Sequence, residues 1–191
     1  MKEKARQYAL AVWGALDPIY YACSRLEYVE NKRDGCRPIF RVRITKYKGR
    51  EIVLSDGTKI QKNDLLLKIH LHNVRLIREL LCLNSEIKKG RYIFEQVKAG
   101  LPHIANYVRN HEQFSEIKGI IGITMLNKGC ERLGFETFSI VNPFYKWFKT
   151  AVMMPIIVVS QFRFSAFRRP PKYLFMSKDK LLTLYDCQPS H

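Results

Sequence analysis

The sequence lacks the short signatures that identify well-known catalytic and phosphate-binding sites. It contains no Walker loop, no GxSxG nucleophile elbow, no HExxH zinc motif and no paired CxxC. Each of these motifs places a nucleophile, a metal ligand or a row of backbone amides where its chemistry needs it. Their absence leaves composition, charge distribution and hydrophobic patterning as the guides to function.

The cysteines are widely scattered along the chain rather than set in the closely spaced framework of a disulfide scaffold. The five residues are odd in number, which favours free thiols in a reducing compartment. They are Cys23, Cys36, Cys82, Cys130 and Cys187.

Long apolar runs are also missing. The longest, Ala151–Val159, contains Pro155 and falls far short of the roughly 20 residues that span a bilayer. The N-terminus has a basic start, but Asp17-Pro18 closes its apolar stretch without a small-residue cleavage site. We therefore expect a cytoplasmic protein with no spanning helix.

Acidic residues are absent from the 42 positions between Glu136 and Asp179, which hold seven Lys/Arg and ten aromatic residues. The whole chain has a net charge of +16, which favours an anionic ligand or polymer, an acidic membrane surface or a nucleic acid. Core packing is the first alternative for the aromatic rings. Because no RNA-recognition or helix-turn-helix signature is present, we rank the membrane above nucleic acid, with Trp147, Arg168 and Arg169 at its surface.

The order of hydrophobic patterns predicts one α+β domain over residues 1–191. Residues 1–38 hold a helix, Lys4 to Glu27, and a connection. Residues 39–72 form an antiparallel meander, and residues 73–191 mix helices and strands. The predicted meander strands are Ile39–Tyr47, Glu51–Leu54, Thr58–Ile60 and Leu65–His72.

Turn and cap residues define the later elements. Helices are predicted from Asn73, from Ser85 up to Gly100, after Pro102, from about Met125 to Leu133, from Pro143 to Pro155, and after Ser177. Extended segments are predicted over Ile120–Thr124, Phe135–Val141, Ile156–Phe164 and Tyr173–Met176.

Alternation along two of these strands predicts a basic face. Lys68, His70 and His72 share one side of their strand, and Arg41, Arg43 and Thr45 share one side of theirs. In a compatible register these side chains would form an anion-binding face of Arg41, Arg43, Lys68, His70 and His72. The competing interpretation is an ordinary solvated sheet face.

Metal, cofactor and catalytic functions have weaker support. His70 and His72 are two possible ligands without a third at informative spacing, so we expect neither metal nor cofactor. An acyl-coenzyme A site is disfavoured because Asn127-Lys-Gly-Cys130 supplies a single glycine. The one acid–base pair that we retain is Asp64 with His70. With Arg43, this pair could serve an enzyme acting on an acyl, phosphoryl or glycosyl substrate, but we favour a non-enzymatic domain.

Several segments resemble the YkoP-like family, small proteins of spore-forming bacilli and related bacteria. They are Arg41–Arg50, Leu54–Thr58, Asn63-Asp64, Ile69–Asn73, Gly122–Thr124, Arg132–Phe135 and Leu174–Ser177. The resemblance marks Asp56, Gly57, Asp64, His70, Asn73 and Ser177 without assigning a catalytic role. Related domains occur beside polysaccharide deacetylases and glycosyltransferases. The resemblance implies an accessory role in bacterial envelope polysaccharide machinery, and we expect no deacetylase chemistry from this sequence.

Overall fold

The computed structural model describes residues 26–29, 39–71, 73–125, 129–160 and 170–186, with the side chains of 73–75, 77 and 152–160 left out. Most of the predicted N-terminal helix therefore lies outside the described residues. So do His72, Arg168, Arg169 and the end of the extended segment predicted after Pro155.

Eight strands and four α-helices are described, which confirms the α+β class. The strands are β1 Glu27–Tyr28, β2 Phe40–Lys46, β3 Ile52–Val53, β4 Lys59–Ile60, β5 Leu65–Leu71, β6 Ile117–Thr124, β7 Glu136–Ser139 and β8 Lys172–Ser177. The helices are α1 Asn73–Leu81, α2 Glu86–Arg109, α3 Pro143–Ser160 and α4 Lys178–Tyr185, and a 3-10 turn covers Cys130–Leu133.

Within the described ranges, six strands form one sheet in the order β1-β2-β5-β6-β8-β7, and the β5–β6 pair is the only parallel one there. Helices α1 and α2 make the crossover that this parallel pair requires. The four strands predicted between residues 39 and 72 are present. Strands β3 and β4 form their own two-stranded sheet, so β2 and β5 are direct neighbours along their whole length.

Helix α2 covers one face of the sheet. Its buried residues Leu101, Ile104 and Val108 pack with Val42 and Ile120 from the strands. Gly100 allows this close approach, because a Cβ there would lie 2.6 Å from the ring of Phe40. The largest core of the described residues lies between α2, α4 and this sheet face.

Two predicted helix boundaries at proline are wrong. Helix α2 continues through Gly100 and Pro102, and α3 continues through Pro155 to Ser160. An interior proline removes one backbone hydrogen bond and costs about 3 kcal/mol, which long flanking helices can offset. In α2, the burial of Leu101, Ile104, Ala105 and Val108 around the proline favours continuation.

Two smaller expectations also fail. Glu27 lies in β1 rather than at the end of a helix, because it pairs with Val42 of β2. The helix predicted up to Leu133 is described only as a 3-10 turn from Cys130, and residues 126–128 lie outside the description. The turn ends at Gly134, whose φ of 85° is the left-handed conformation that glycine favours.

The opposite face of the sheet is divided into an apolar part and a basic part. The β3–β4 hairpin covers a second core that includes Tyr47, Ile60, Leu66 and Phe175. Beyond the hairpin, this face carries the basic side chains of β2 and β5. Helix α3 flanks them, since its Tyr145 ring stacks on Tyr173 of β8.

Candidate anion-binding site

The register of β2 and β5 brings the predicted basic residues together. Arg41 lies opposite His70, and Arg43 lies opposite Lys68. Side chains directly opposite in an antiparallel pair have Cβ atoms about 5 Å apart and lie on the same face. Four cationic or titratable groups therefore share one patch of the sheet.

Helix α3 adds a further cation that the sequence analysis did not assign to this patch. Lys149 is close enough to lower the pKa of both Lys68 and His70. Its ammonium group also lies 5.3 Å from the centre of the Tyr145 ring. We call Arg41, Arg43, Lys68, His70 and Lys149 the basic cluster. The i, i+4 spacing of Tyr145 and Lys149 was the available signal, but the sequence does not show which strands α3 packs against.

Burial and mutual repulsion dominate the electrostatics of the basic cluster. Desolvation, then Lys149 and Arg43, lower the pKa of Lys68 to about 8. Desolvation, followed by Lys68, Arg43, Lys149 and Arg41, lowers the pKa of His70 to about 3. Desolvation and Arg43 also lower the pKa of Lys149. Among the described residues, no carboxylate contributes to the pKa shifts of Lys68, His70 and Lys149.

The hydrogen bonding differs across the cluster. Arg41 is buried, donates to the hydroxyl of Tyr28 at 2.6 Å and lies over that ring. The Nε2 atom of His70 is buried and has no hydrogen-bond partner within the described ranges. A buried polar atom without a partner carries a desolvation cost that a ligand can remove.

The structure does not bring Asp64 to His70. The Asp64 carboxylate accepts a hydrogen bond from the Gln61 amide at 2.7 Å and lies 3.2 Å from Lys118 Nζ. His70 is six residues further along the chain, near the other end of β5, which is roughly 20 Å away at about 3.3 Å per residue. The two groups cannot exchange a proton directly.

The marked residues Asp56 and Ser177 meet at a different place. Ser177 donates its hydroxyl hydrogen bond to Asp56 and accepts one from the Lys180 amide at 3.1 Å, so it caps α4 as predicted. Nearby, Glu136 accepts hydrogen bonds from the amide and hydroxyl of Ser55. These contacts attach the β3–β4 hairpin to the sheet and α4, which is a structural role.

Two cavities of the structure are lined by residues outside the basic cluster. A cavity of about 550 Å³ lies between β1 and the end of α2, and another of about 440 Å³ lies beside Asp56 and Lys180. Neither includes His70. In the part of the chain that the structure describes, no three His, Cys, Asp or Glu residues are grouped to hold a metal ion.

Helix α3 exposes aromatic residues on its solvent side. Phe144 is 82% exposed, Trp147 72% and Phe148 53%. We call these three residues the aromatic stripe. Core packing, the competing explanation for the aromatic rings, does not apply to them. Across the described segments, the helices are too short or too polar to cross a bilayer.

These features define an α+β protein with a partly buried basic cluster on one sheet face and an aromatic helix beside it. The chain belongs to the YkoP family, since the family model of the YkoP domain matches residues 6–185. It is 49% identical over 177 residues to "Uncharacterized protein YkoP" of Bacillus subtilis (strain 168), covering 92% of this chain and 95% of that protein. No solved structure matches it significantly.

Proposed function

We propose that this protein is an anion-binding domain whose basic cluster binds a phosphate or carboxylate group. The observation that carries the proposal is the proximity of Lys68, His70 and Lys149: besides desolvation, Lys149 lowers the pKa of both Lys68 and His70, and Lys68 lowers that of His70, with no carboxylate contributing from the described residues. An anion placed among them would replace repulsion by attraction and would supply an acceptor to the buried His70 Nε2.

The cluster is suited to binding an anion rather than to acid–base catalysis. Guanidinium groups can bind phosphate or carboxylate with two parallel hydrogen bonds, and lysine adds a point charge. The alternative, an enzyme that uses His70, Asp64 and Arg43, has less support because Asp64 pairs with Lys118 at the other end of β5. Binding by itself requires no such proton relay.

We further propose where the protein acts in the cell: with envelope polysaccharide machinery and at an acidic membrane surface. An accessory role in bacterial envelope polysaccharide machinery is supported by the resemblance to the family and the neighbouring domains that it implies. Peripheral attachment to an acidic membrane surface is supported by the exposed aromatic stripe, which lies in the acid-free segment of a chain with net charge +16.

The binding proposal is tested by titrating the protein with inorganic phosphate and pyrophosphate in a calorimeter. We expect Lys68→Gln and His70→Asn each to weaken binding about tenfold, since a hydrogen bond to a charged group contributes roughly 1.5–3 kcal/mol. We also expect sulfate, which remains a dianion throughout, to bind more tightly as the pH is lowered from about 8 to about 6, because anion binding favours protonated Lys68.

Lys98→Gln is the matched control, because Lys98 is exposed on α2, which covers the other face of the sheet. It removes the same charge as Lys68→Gln and should leave the affinity almost unchanged. Equal losses from both lysine variants would reduce the effect to net charge and would contradict a site at the basic cluster.

A further inference from the structure

The two surfaces of α3 lie close enough together to act on one ligand. Successive helical residues are about 100° apart around the axis, so Phe144, Trp147 and Phe148 fall within a sector of about 100°. Tyr145 and Lys149 lie on the adjoining side, roughly 100–140° from Phe144. The aromatic stripe is exposed, whereas Tyr145 stacks on Tyr173 and Lys149 belongs to the basic cluster.

This arrangement matches the layers of a membrane surface. A helix that lies in the interface buries its apolar sector at the boundary of the acyl chains, and its flanks then meet the head groups. Aromatic rings are favoured at this depth, and lysine side chains on the flanks reach the phosphates. In α3, the flank that bears Lys149 lies beside Lys68 and His70 of the sheet.

The surface around the aromatic stripe and the basic cluster differs in charge and exposure from the rest of the described surface. We call this surface the patch. Four of the seven exposed large hydrophobic residues of the described surface lie within eight positions: Val141, Phe144, Trp147 and Phe148. No acidic residue occurs between Glu136 and Asp179 to repel an anionic surface. The patch is thus complementary to an acidic bilayer in both apolar character and charge.

We propose that the anion bound by the basic cluster is the head-group phosphate of an acidic membrane lipid, and that the aromatic stripe inserts into the same bilayer surface. This inference rests on the proposed anion-binding function and names the source of its anion. The cluster and the stripe together recognise a phosphate that is attached to a lipid, and soluble phosphate uses the cluster alone.

The test is co-sedimentation of the full chain with vesicles of phosphatidylcholine, either alone or with about 30% phosphatidylglycerol. We expect binding to the acidic vesicles at least tenfold stronger than binding to neutral ones, and weaker at high salt. Phe144→Ser/Trp147→Ser/Phe148→Ser should lower vesicle binding at least tenfold and retain the binding of inorganic phosphate. Ile87→Ser is the matched control, since Ile87 is 83% exposed on α2, and it should bind vesicles like the parent chain.

The second comparison uses the cluster variant Lys68→Gln/His70→Asn against Lys98→Gln. We expect the cluster variant to bind vesicles several-fold more weakly than the parent chain, and Lys98→Gln to bind them like the parent chain. If it binds vesicles like Lys98→Gln but has lost phosphate in solution, the lipid inference is overturned and the anion-binding function stands. If neither the parent chain nor any variant binds phosphate, the proposed function itself fails. The lipid inference would also be overturned if the stripe variant bound vesicles as strongly as the parent chain. The same holds if the parent chain formed a dimer that the stripe variant could not form.

Discussion

The surroundings of His70 differ from those of a histidine on a solvated strand face. The strand pattern places His70 beside Lys68 on a polar face, and such a face is ordinarily solvated. Here the imidazole is partly buried, and its Nε2 has no hydrogen-bond partner within the described residues. Desolvation, followed by four neighbouring cations, lowers its pKa. The folded protein therefore keeps His70 neutral at pH values where a solvated histidine would be charged.

The lowered pKa of His70 makes stability depend on pH. In the unfolded chain His70 takes up a proton near 6.5, whereas in the folded chain it does so only near 3. The unfolded state binds more protons between these values, so the folded state loses stability as the pH falls through this range. We expect the free energy of unfolding in urea to fall less for His70→Asn than for the parent chain as the pH is lowered from about 7 to about 5. The difference should be at most about 1 kcal/mol per pH unit, since solvent screening reduces it.

His103→Asn is the matched histidine control, because His103 lies on α2, outside the basic cluster. It should keep the pH dependence of the parent chain. If His70→Asn and the parent lose stability in parallel between pH 7 and pH 5, His70 is not held neutral by its surroundings.

At the scale of elements, α2 approaches the sheet most tightly at Gly100 among its glycines. A Cβ at Gly100 would lie 2.6 Å and 2.7 Å from two ring atoms of Phe40, which is well inside ordinary contact distance. We expect Gly100→Ala to destabilise the fold by about 1–3 kcal/mol, because the ring or the helix must shift. Chemical denaturation measures this loss.

Gly90 provides the opposite case on the same helix. A Cβ there meets nothing within 4 Å, so Gly90→Ala should stabilise the fold by about 0.5–1 kcal/mol through helix propensity. A loss at both positions, or at neither, would show that the contact with Phe40 does not limit the approach of α2. Combining Gly100→Ala with Phe40→Leu should recover part of the loss.

The elements also show what the sequence could and could not predict. Alternating strands and glycine turns between residues 39 and 72 were recognisable, because period-two patterning and turn residues are local signals. The continuity of α2 through Pro102 was not, since it depends on a buried face whose partners lie elsewhere in the chain. The pairing of β2 with β5 around a separate hairpin likewise depends on non-local contacts.

The site was predictable to a similar extent. The shared face of Arg41, Arg43, Lys68 and His70 followed from alternation and an assumed register, and the structure has that register. Lys149 could not be placed, because only the packing of α3 brings it to the strands. Asp64 and His70 looked close in sequence, but their positions at opposite ends of β5 separate them.

For the whole molecule, the two faces of the sheet have different roles. One face is buried under α2 and α4 and supplies the largest core of the described residues. The other is shared between the hairpin core, the basic cluster and α3. Function is thus proposed on the face that carries the basic cluster, whereas the face under α2 and α4 carries the largest core of the described residues.

The most direct test of the account is to measure the pKa of His70 by NMR of its imidazole, with and without saturating phosphate. We predict that the pKa of His70 is strongly lowered in the free protein, to about 3, and increases by at least one unit when phosphate binds among Lys68, Lys149 and His70. A pKa near 6.5 in the free protein, or a lowered pKa that phosphate leaves unchanged, would contradict the assignment of the basic cluster as the anion site.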